Sequence, residues 1–244
     1  MDPSNHLWDF QGEGEFLLVD KPIDWTSFDV IKKIKVLFNV KRVGHAGTLD
    51  PKATGLLIIC TGNKTKSLDS FQNEQKEYTG TFEVGARTPS FDSETAVIET
   101  RDFSHVDAEL LEHAIRTFIG TILQTPPMYS AAKVDGKPLY VYARRGKNVD
   151  RSPKEVTIHD FQITGMSLPM VNFKIVCSKG TYVRTLAEDL GKELGCGCTL
   201  RSLRRTQIGS WRVENAYSIG DLINLRRTLE SRREQPHEIG EPAW

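Results

Sequence analysis

Two apolar runs of strand character, "EVTIHDFQITGM" from Glu155 and "VNFKIVCSKG" from Val171, follow each other with only four residues between them. Parallel neighbours need a crossover of a dozen or more residues, so this adjacency excludes a plain chain of βαβ units and predicts antiparallel pairing. "EFLLVDKP" reads as a further strand stopped by Pro22, Leu56 to Cys60 as a buried one, and "KEYTGTFEVG" as one with alternating faces. Helical spacing lies between them. "TSFDVIKKIKVLF" predicts a helix capped at Thr26 or Ser27 with Val30, Ile34, Leu37 and Phe38 on one face. "VDAELLEHAIRTFIG" predicts a helix ended by Gly120, "PLYVYARR" a short basic one, Thr181 to Leu194 another, and "SIGDLINLRRTLESRR" a closing one. The expected class is α+β, a mixed and mostly antiparallel sheet flanked by helices. Residues 1–230 are expected to form one domain, with 231–244 a flexible tail.

Formal net charge is zero over 244 residues, but the charges are segregated. Ile31 to Lys66 carries eight Lys or Arg against one acid, Asp50, and Leu200 to Val213 carries four arginines and no acid. Ala131 to Glu155 is basic as well, whereas Phe91 to Ala114 carries seven acids against Arg101. Basic segments that converge in a fold would track a phosphate backbone; as solvated faces they would do nothing. Charge alone leaves both readings open. The acidic N-terminus "MDPSNHLWDFQGEGE" lacks the pattern of a signal peptide, and no window reaches the roughly 18 apolar residues of a membrane span. A cytoplasmic protein without membrane contact is expected. Cys60, Cys177, Cys196 and Cys198 lack the spacing of a zinc motif and are expected to be reduced.

The stretch "GHAGTLDPKATG", Gly44 to Gly55, sets that one acid in a glycine-rich loop. It lacks the Lys-Ser/Thr ending of a nucleoside-triphosphate cradle, and in the nearby "TGNKTK" Asn63 intervenes. No helix opens after it, as a dinucleotide site requires. Only His45 and Asp50 could ligate a metal, too few for a site. Gly44, Gly47 and Gly55 free the backbone and Pro51 stiffens it, so the loop can present one carboxylate rigidly, or Asp50 can merely cap a turn.

"GHAGTLDPKATGLL" closely resembles the signature loop of the TruB family, the bacterial pseudouridine synthases that modify the T-arm of transfer RNA. "VDKPIDWTSFDV", "KEYTGTFEVGARTPSFD", "TPPMYSAAKVDGKPLYVYAR", "CSKGTYVRTLAEDLG" and "TLRSLRRTQIGSW" resemble further family motifs in the family's order, from about Gly14 to Leu225. The resemblance implies the pseudouridine synthase fold. It implies isomerisation of uridine 55 in the tRNA T-loop by base flipping, with no metal or organic cofactor, by a cytoplasmic monomer whose partner is the T-arm. A glycosidase needs two carboxyl groups because it activates water. An isomerase that rejoins its own fragments can work with one, which the resemblance assigns to Asp50 as nucleophile or as base at C2′.

The same motifs imply Arg184 as the cation paired with Asp50, and Tyr78 and Tyr182 at the uracil, Tyr78 also aiding the C5 proton. They imply Leu203 as an apolar wall, His45 as a residue entering the T-loop, and Lys21 with Pro22, Gly44 and Gly47 as supports of the catalytic loop. Clusters at Lys32, Lys33 and Lys35, at Arg144, Arg145 and Lys147, and at Arg201, Arg204 and Arg205 are candidate phosphate contacts. Many family members carry a further C-terminal RNA-binding domain, which is not expected here. Two alternatives remain: a T-arm chaperone without turnover, and a synthase with another RNA target.

Overall fold

The computed structural model describes residues 7–234. Strand β1 (Phe16–Lys21) stops at Pro22, which has no amide to continue a ladder. Helix α1 (Ser27–Phe38) starts from Thr26, whose hydroxyl accepts from the Asp29 amide while the Asp29 carboxylate accepts from the Thr26 amide. Asn39, in the left-handed conformation, ends the helix. Val30, Ile31, Ile34 and Phe38 are buried and Leu37 is half-buried, close to the face its spacing predicts.

Strand β2 (Val43–Ala46) then pairs antiparallel with β3 (Ala53–Thr61). The first part of the glycine-rich stretch is therefore strand, and the loop proper spans 47–52. Helix α2 (Leu68–Asn73) leads to β4 (Lys76–Val84), and β5 (Ala86–Arg87) pairs with β6 (Glu99–Thr100). Helix α3 (Ala108–Arg116) ends earlier than its spacing predicts. The Thr117 hydroxyl donates to the Ala114 carbonyl, tight turns follow, and Gly120 opens strand β7 (Gly120–Gln124) instead of closing the helix. The hairpin β8 (Lys133–Val134) and β9 (Lys137–Pro138) precedes α4 (Leu139–Ala143). The two runs that pointed to antiparallel pairing are β10 (Lys154–Ser167) and β11 (Met170–Cys177), and they do pair antiparallel. Helix α5 (Val183–Glu193), β12 (Cys198–Ile208), β13 (Trp211–Arg212) and α6 (Ile219–Glu234) complete the chain. Since α6 runs to Glu234, residues 231–234 of the expected tail are helical; 235–244 lie outside the described residues.

Among the described residues the main sheet has nine strands in the order β1-β3-β12-β4-β11-β10-β7, with β2 added on β3 and β13 on β12. Of the strand pairs among the described residues only β3 and β12 run parallel, so the α+β class with a mostly antiparallel sheet holds. The arginine-rich segment becomes the central strand β12, although it carries no clean alternation. Register shifts at Leu200/Ser202 and at Arg205/Gln207 are the reason, each resetting which side chains face a given side. One apolar core lies under α3 and α5 around Phe82, Phe161 and Phe173, and a second joins α1 and α6 to β1 and β3.

The parallel contact brings two backbones unusually close. Gly55 has φ +104°, and a Cβ on it would lie 2.3 Å from the Arg205 carbonyl oxygen. Gly55→Ala is expected to cost about 3 kcal/mol of stability, measured as a lower urea midpoint with an unchanged slope.

Candidate active site

The 47–52 loop is tied down by side chains from three elements. Ser27, at the start of α1, accepts from the Leu49 amide at 2.9 Å and donates to its carbonyl at 3.2 Å. Lys21, fully buried at the end of β1, donates to the carbonyls of Pro22 (2.9 Å), Trp25 (2.6 Å) and Pro51 (3.4 Å). Arg205 on β12 donates to the Gly47 carbonyl at 3.1 Å, and the Ala53 amide closes the turn on the Asp50 carbonyl at 3.0 Å. Among the described residues Pro22 is connected to the loop only through Lys21, whose ammonium donates to the Pro22 carbonyl. Gly47 has φ +82°, where a side chain would be strained; Gly44 is extended in β2, with Leu68 packed 2.5 Å from where a Cβ would be.

The Asp50 side chain is 36 % exposed, and its Oδ2 sits 2.9 Å from Nε of Arg184, which α5 holds 3 % exposed. The expected ion pair is present. Burial pushes the Asp50 carboxyl above the usual carboxylate range, while Arg184 and Lys21 pull it back toward the ionised form. Arg184 is itself fixed on every side. Its Nε also lies 3.4 Å from Oδ2 of buried Asp92, and its terminal nitrogens donate to the carbonyls of Ser90 (3.3 Å) and Tyr129 (2.9 Å). Asp92 lies in "TPSFD", where along the chain it is one of seven acids between Phe91 and Ala114 with nothing to set it apart.

Asp50, Tyr78, Tyr182, Arg184, Leu203 and Arg205 line one cleft of about 620 Å³. Tyr182 caps α5, and buried Gln124 at the end of β7 clamps its backbone by accepting from its amide (2.7 Å) and donating to its carbonyl (3.1 Å). Tyr78 is buried on β4 directly opposite Arg205; burial raises its phenol above the usual range and Arg205 opposes the rise. His45 does not line this cleft. It lies on β2 with its Nδ1 buried and unpartnered among the described residues, and burial, followed by the charge of Arg205, lowers its imidazole pKa.

The arginine cluster on β12 is not a free phosphate-binding surface. Arg205 is 1 % exposed, Arg204 holds both Asp20 oxygens at 3.0 and 2.7 Å, and Arg201 pairs with Glu83 at 3.0 Å. Arg144, Arg145 and Lys147 form no ion pair among the described residues. The four cysteines are buried and free, and no group of His, Cys, Asp or Glu among the described residues could hold a metal ion. No helix among them is long and apolar enough to cross a membrane.

Buried lysines give the site a pH signature. Burial lowers Lys21 and Lys76 from 10.5 to about 8, so above pH 8 the native state sheds protons that the unfolded chain still holds, and stability must rise. The buried thiols Cys60 and Cys177, raised from 9.0 to about 11, oppose this once the pH passes 9. Unfolding free energy is therefore expected to rise from pH 8 to 9, by up to about 1 kcal/mol for each lysine, and Lys21→Met should remove its share. Urea titrations across that window measure it.

Residues 35–183 match the family model of the TruB family pseudouridylate synthase N-terminal domain, and residues 184–238 match that of the tRNA pseudouridylate synthase B C-terminal domain. The two matches meet inside the first turn of α5, within the shared core. The chain is 46% identical over 226 residues to tRNA pseudouridine synthase B of Flavobacterium johnsoniae, covering 90% of this chain and 96% of that one. It is 45% identical to the protein of that name from Chloroherpeton thalassium, covering 90% and 93%. Among solved structures it resembles a Cbf5-Nop10-Gar1 complex at TM-score 0.71 and 24% identity, over 89% of this chain and 56% of that one. It also resembles an H/ACA RNP bound to a substrate RNA containing 2′-deoxyuridine, at TM-score 0.68 and 21% identity over 91% and 56%. This chain spans little more than half of those two chains, and at such identity the likeness speaks for the fold.

Proposed function

The chain belongs to the TruB family of pseudouridylate synthases, and from that premise we infer that it isomerises a tRNA uridine to pseudouridine, at position 55 of the T-loop. One observation carries the chemistry: a lone carboxylate, Asp50, paired with a buried arginine and open to a cleft with two tyrosines and a leucine.

Reaching the flipped base costs a few kcal/mol of unstacking, which T-arm contacts offset; His45 and the basic segment around Arg144 to Lys147 are the residues we place against the RNA. Within the cleft Tyr78 and Tyr182 hold the uracil and Leu203 walls it. The bond between N1 and C1′ breaks with its electron pair left on uracil, while an Asp50 oxygen bonds C1′ or takes the C2′ proton. The detached base turns and rejoins C1′ through C5 as Asp50 leaves C1′ or returns the C2′ proton; the C5 proton then passes to water and N1 takes one up. Substrate and product have the same atoms, so the cycle needs no energy source or cofactor. Lys21, Ser27 and Pro22 act by holding the 47–52 loop rigid. We place the enzyme in the cytoplasm, as a monomer, with residues 1–230 as the catalytic domain.

The assay is tritium release from tRNA labelled at uracil C5, followed by mapping the modified position. Release with modification at position 55 is expected, from full tRNA and from a T-arm minihelix. No release would leave the chaperone reading, and modification elsewhere the reading with another RNA target; the intact Asp50 and Arg184 pair speaks against the first.

A further inference from the structure

Among the described residues Arg205 is the largest fully buried side chain, and it has no counter-ion there. Its Nε donates to the Leu56 carbonyl at 2.8 Å and its Nη2 to the Gly47 carbonyl at 3.1 Å, both neutral groups. Among the described residues no carboxylate lies within 4.0 Å of it, whereas Arg87, Arg184, Arg201 and Arg204 each have one. Arginine cannot shed its proton to escape the cost of burial, and two carbonyls could be satisfied by a neutral donor. A retained, uncompensated cation therefore suits a partner that arrives or becomes negative.

Its position shows where that partner would be. Sheet register sets Arg205 opposite Tyr78 on β4 and Gly55 on β3, and its side chain lines the same cleft as Asp50. Of the other cations lining this cleft, Lys154 and Lys179 are exposed to water, and the two buried ones are committed. Arg184 lies between Asp50 and Asp92, and the Lys76 ammonium is turned to the carbonyls of Phe71, Gln72 and Glu74. Burial shifts the groups around Arg205 most, lowering Lys21, Lys76 and His45 and raising the Tyr78 phenol, and the charge of Arg205 adds to the three lowerings and opposes the rise.

We propose that Arg205 stabilises the uracil anion after its bond to C1′ has broken. The proposal rests on the isomerase reading above. When that bond breaks, N1 keeps the electron pair and the base carries a negative charge, while Asp50 gives up its own charge by bonding C1′ or accepting the C2′ proton. The charge moves from the carboxylate to the base, and a fixed cation at the cleft wall favours that transfer without reorganising. Rejoining through C5 returns the charge as Asp50 leaves C1′ or gives back the C2′ proton, and the C5 proton passes to water while N1 takes one up.

The experiment compares leaving groups. Single-turnover loss of the nitrogen-linked base is measured on tRNA transcripts carrying uridine or 5-fluorouridine, whose fluorine stabilises the anion by itself. Arg205→Met is expected to slow uridine cleavage by about 100-fold or more and 5-fluorouridine cleavage by less than about tenfold, while Arg205→Lys keeps the wild-type ratio of the two rates. A purely structural arginine would lower both rates by the same factor, which would overturn the proposal. So would an Arg205→Lys ratio equal to that of Arg205→Met. Should Arg205→Met not fold, Arg205→Gln makes the same comparison, because it removes the charge and keeps a donor. Wild-type protein that cleaves neither substrate would refute the isomerase reading itself, a separate outcome.

Discussion

Asp50→Asn is expected to abolish tritium release from tRNA labelled at uracil C5, lowering the single-turnover rate by about 10³-fold or more. The change is isosteric and keeps an oxygen toward Arg184, so the 47–52 loop, tied through Ser27, Lys21 and Arg205, has no reason to move. Arg184 keeps Asp92 as its counter-ion, and the variant should fold and bind tRNA as the wild type does. What is lost is the pair of electrons that attacks C1′ or takes the C2′ proton. A rate within tenfold of wild type would remove Asp50 from the chemistry. Because burial raises this carboxyl, wild-type activity should also fall on the acid side earlier than an exposed aspartate would allow: the ionised form is needed, and it is lost as pH drops through the raised value.

Arg184→Met is expected to be inactive and also strongly destabilised, by about 3–5 kcal/mol in urea or thermal unfolding. Removing the guanidinium strands Asp92, whose side chain is 5 % exposed, and leaves the Ser90 and Tyr129 carbonyls without their donor. Adding Asp92→Asn should recover about half of that loss, because the stranded charge is then gone, but no turnover, because Asp50 still lacks its partner. Wild-type stability in Arg184→Met would show that the buried pair does not hold the segment from Ser90 to Tyr129 in place.

Parts of this arrangement were legible in the chain because they are local. The Thr26 cap, the face of α1, the buried run of β3 and the hairpin of β10 and β11 depend on neighbours a few residues apart. The glycines and proline around Asp50 marked a loop shaped to present something. Resemblance to a family, rather than spacing, brought Tyr78, Tyr182, Arg184 and Leu203 to it. Two local readings missed by a few residues: β2 took up part of the loop, and α3 ended at Arg116 before Gly120.

By itself, the sequence determined the class of the fold, the presented acid and the segregation of charge, since each is a matter of pattern along the chain. Which charges meet which partners was decided by the tertiary structure alone. Arg201, Arg204 and Arg205 look alike in "LRSLRR", yet Arg201 falls in a register shift of β12 and pairs with Glu83 at the surface, while strand alternation turns Arg204 to Asp20 and buries Arg205 without a counter-ion among the described residues. Asp92 carried no signal as a site residue, and Arg205 only that of one candidate phosphate contact among three, because formal charge does not depend on burial, whereas the worth of a charge does. The packing of β3, β4 and β12 shuts water out around Arg205, and Asp92 is buried against Arg184 of α5 and Leu200 of β12.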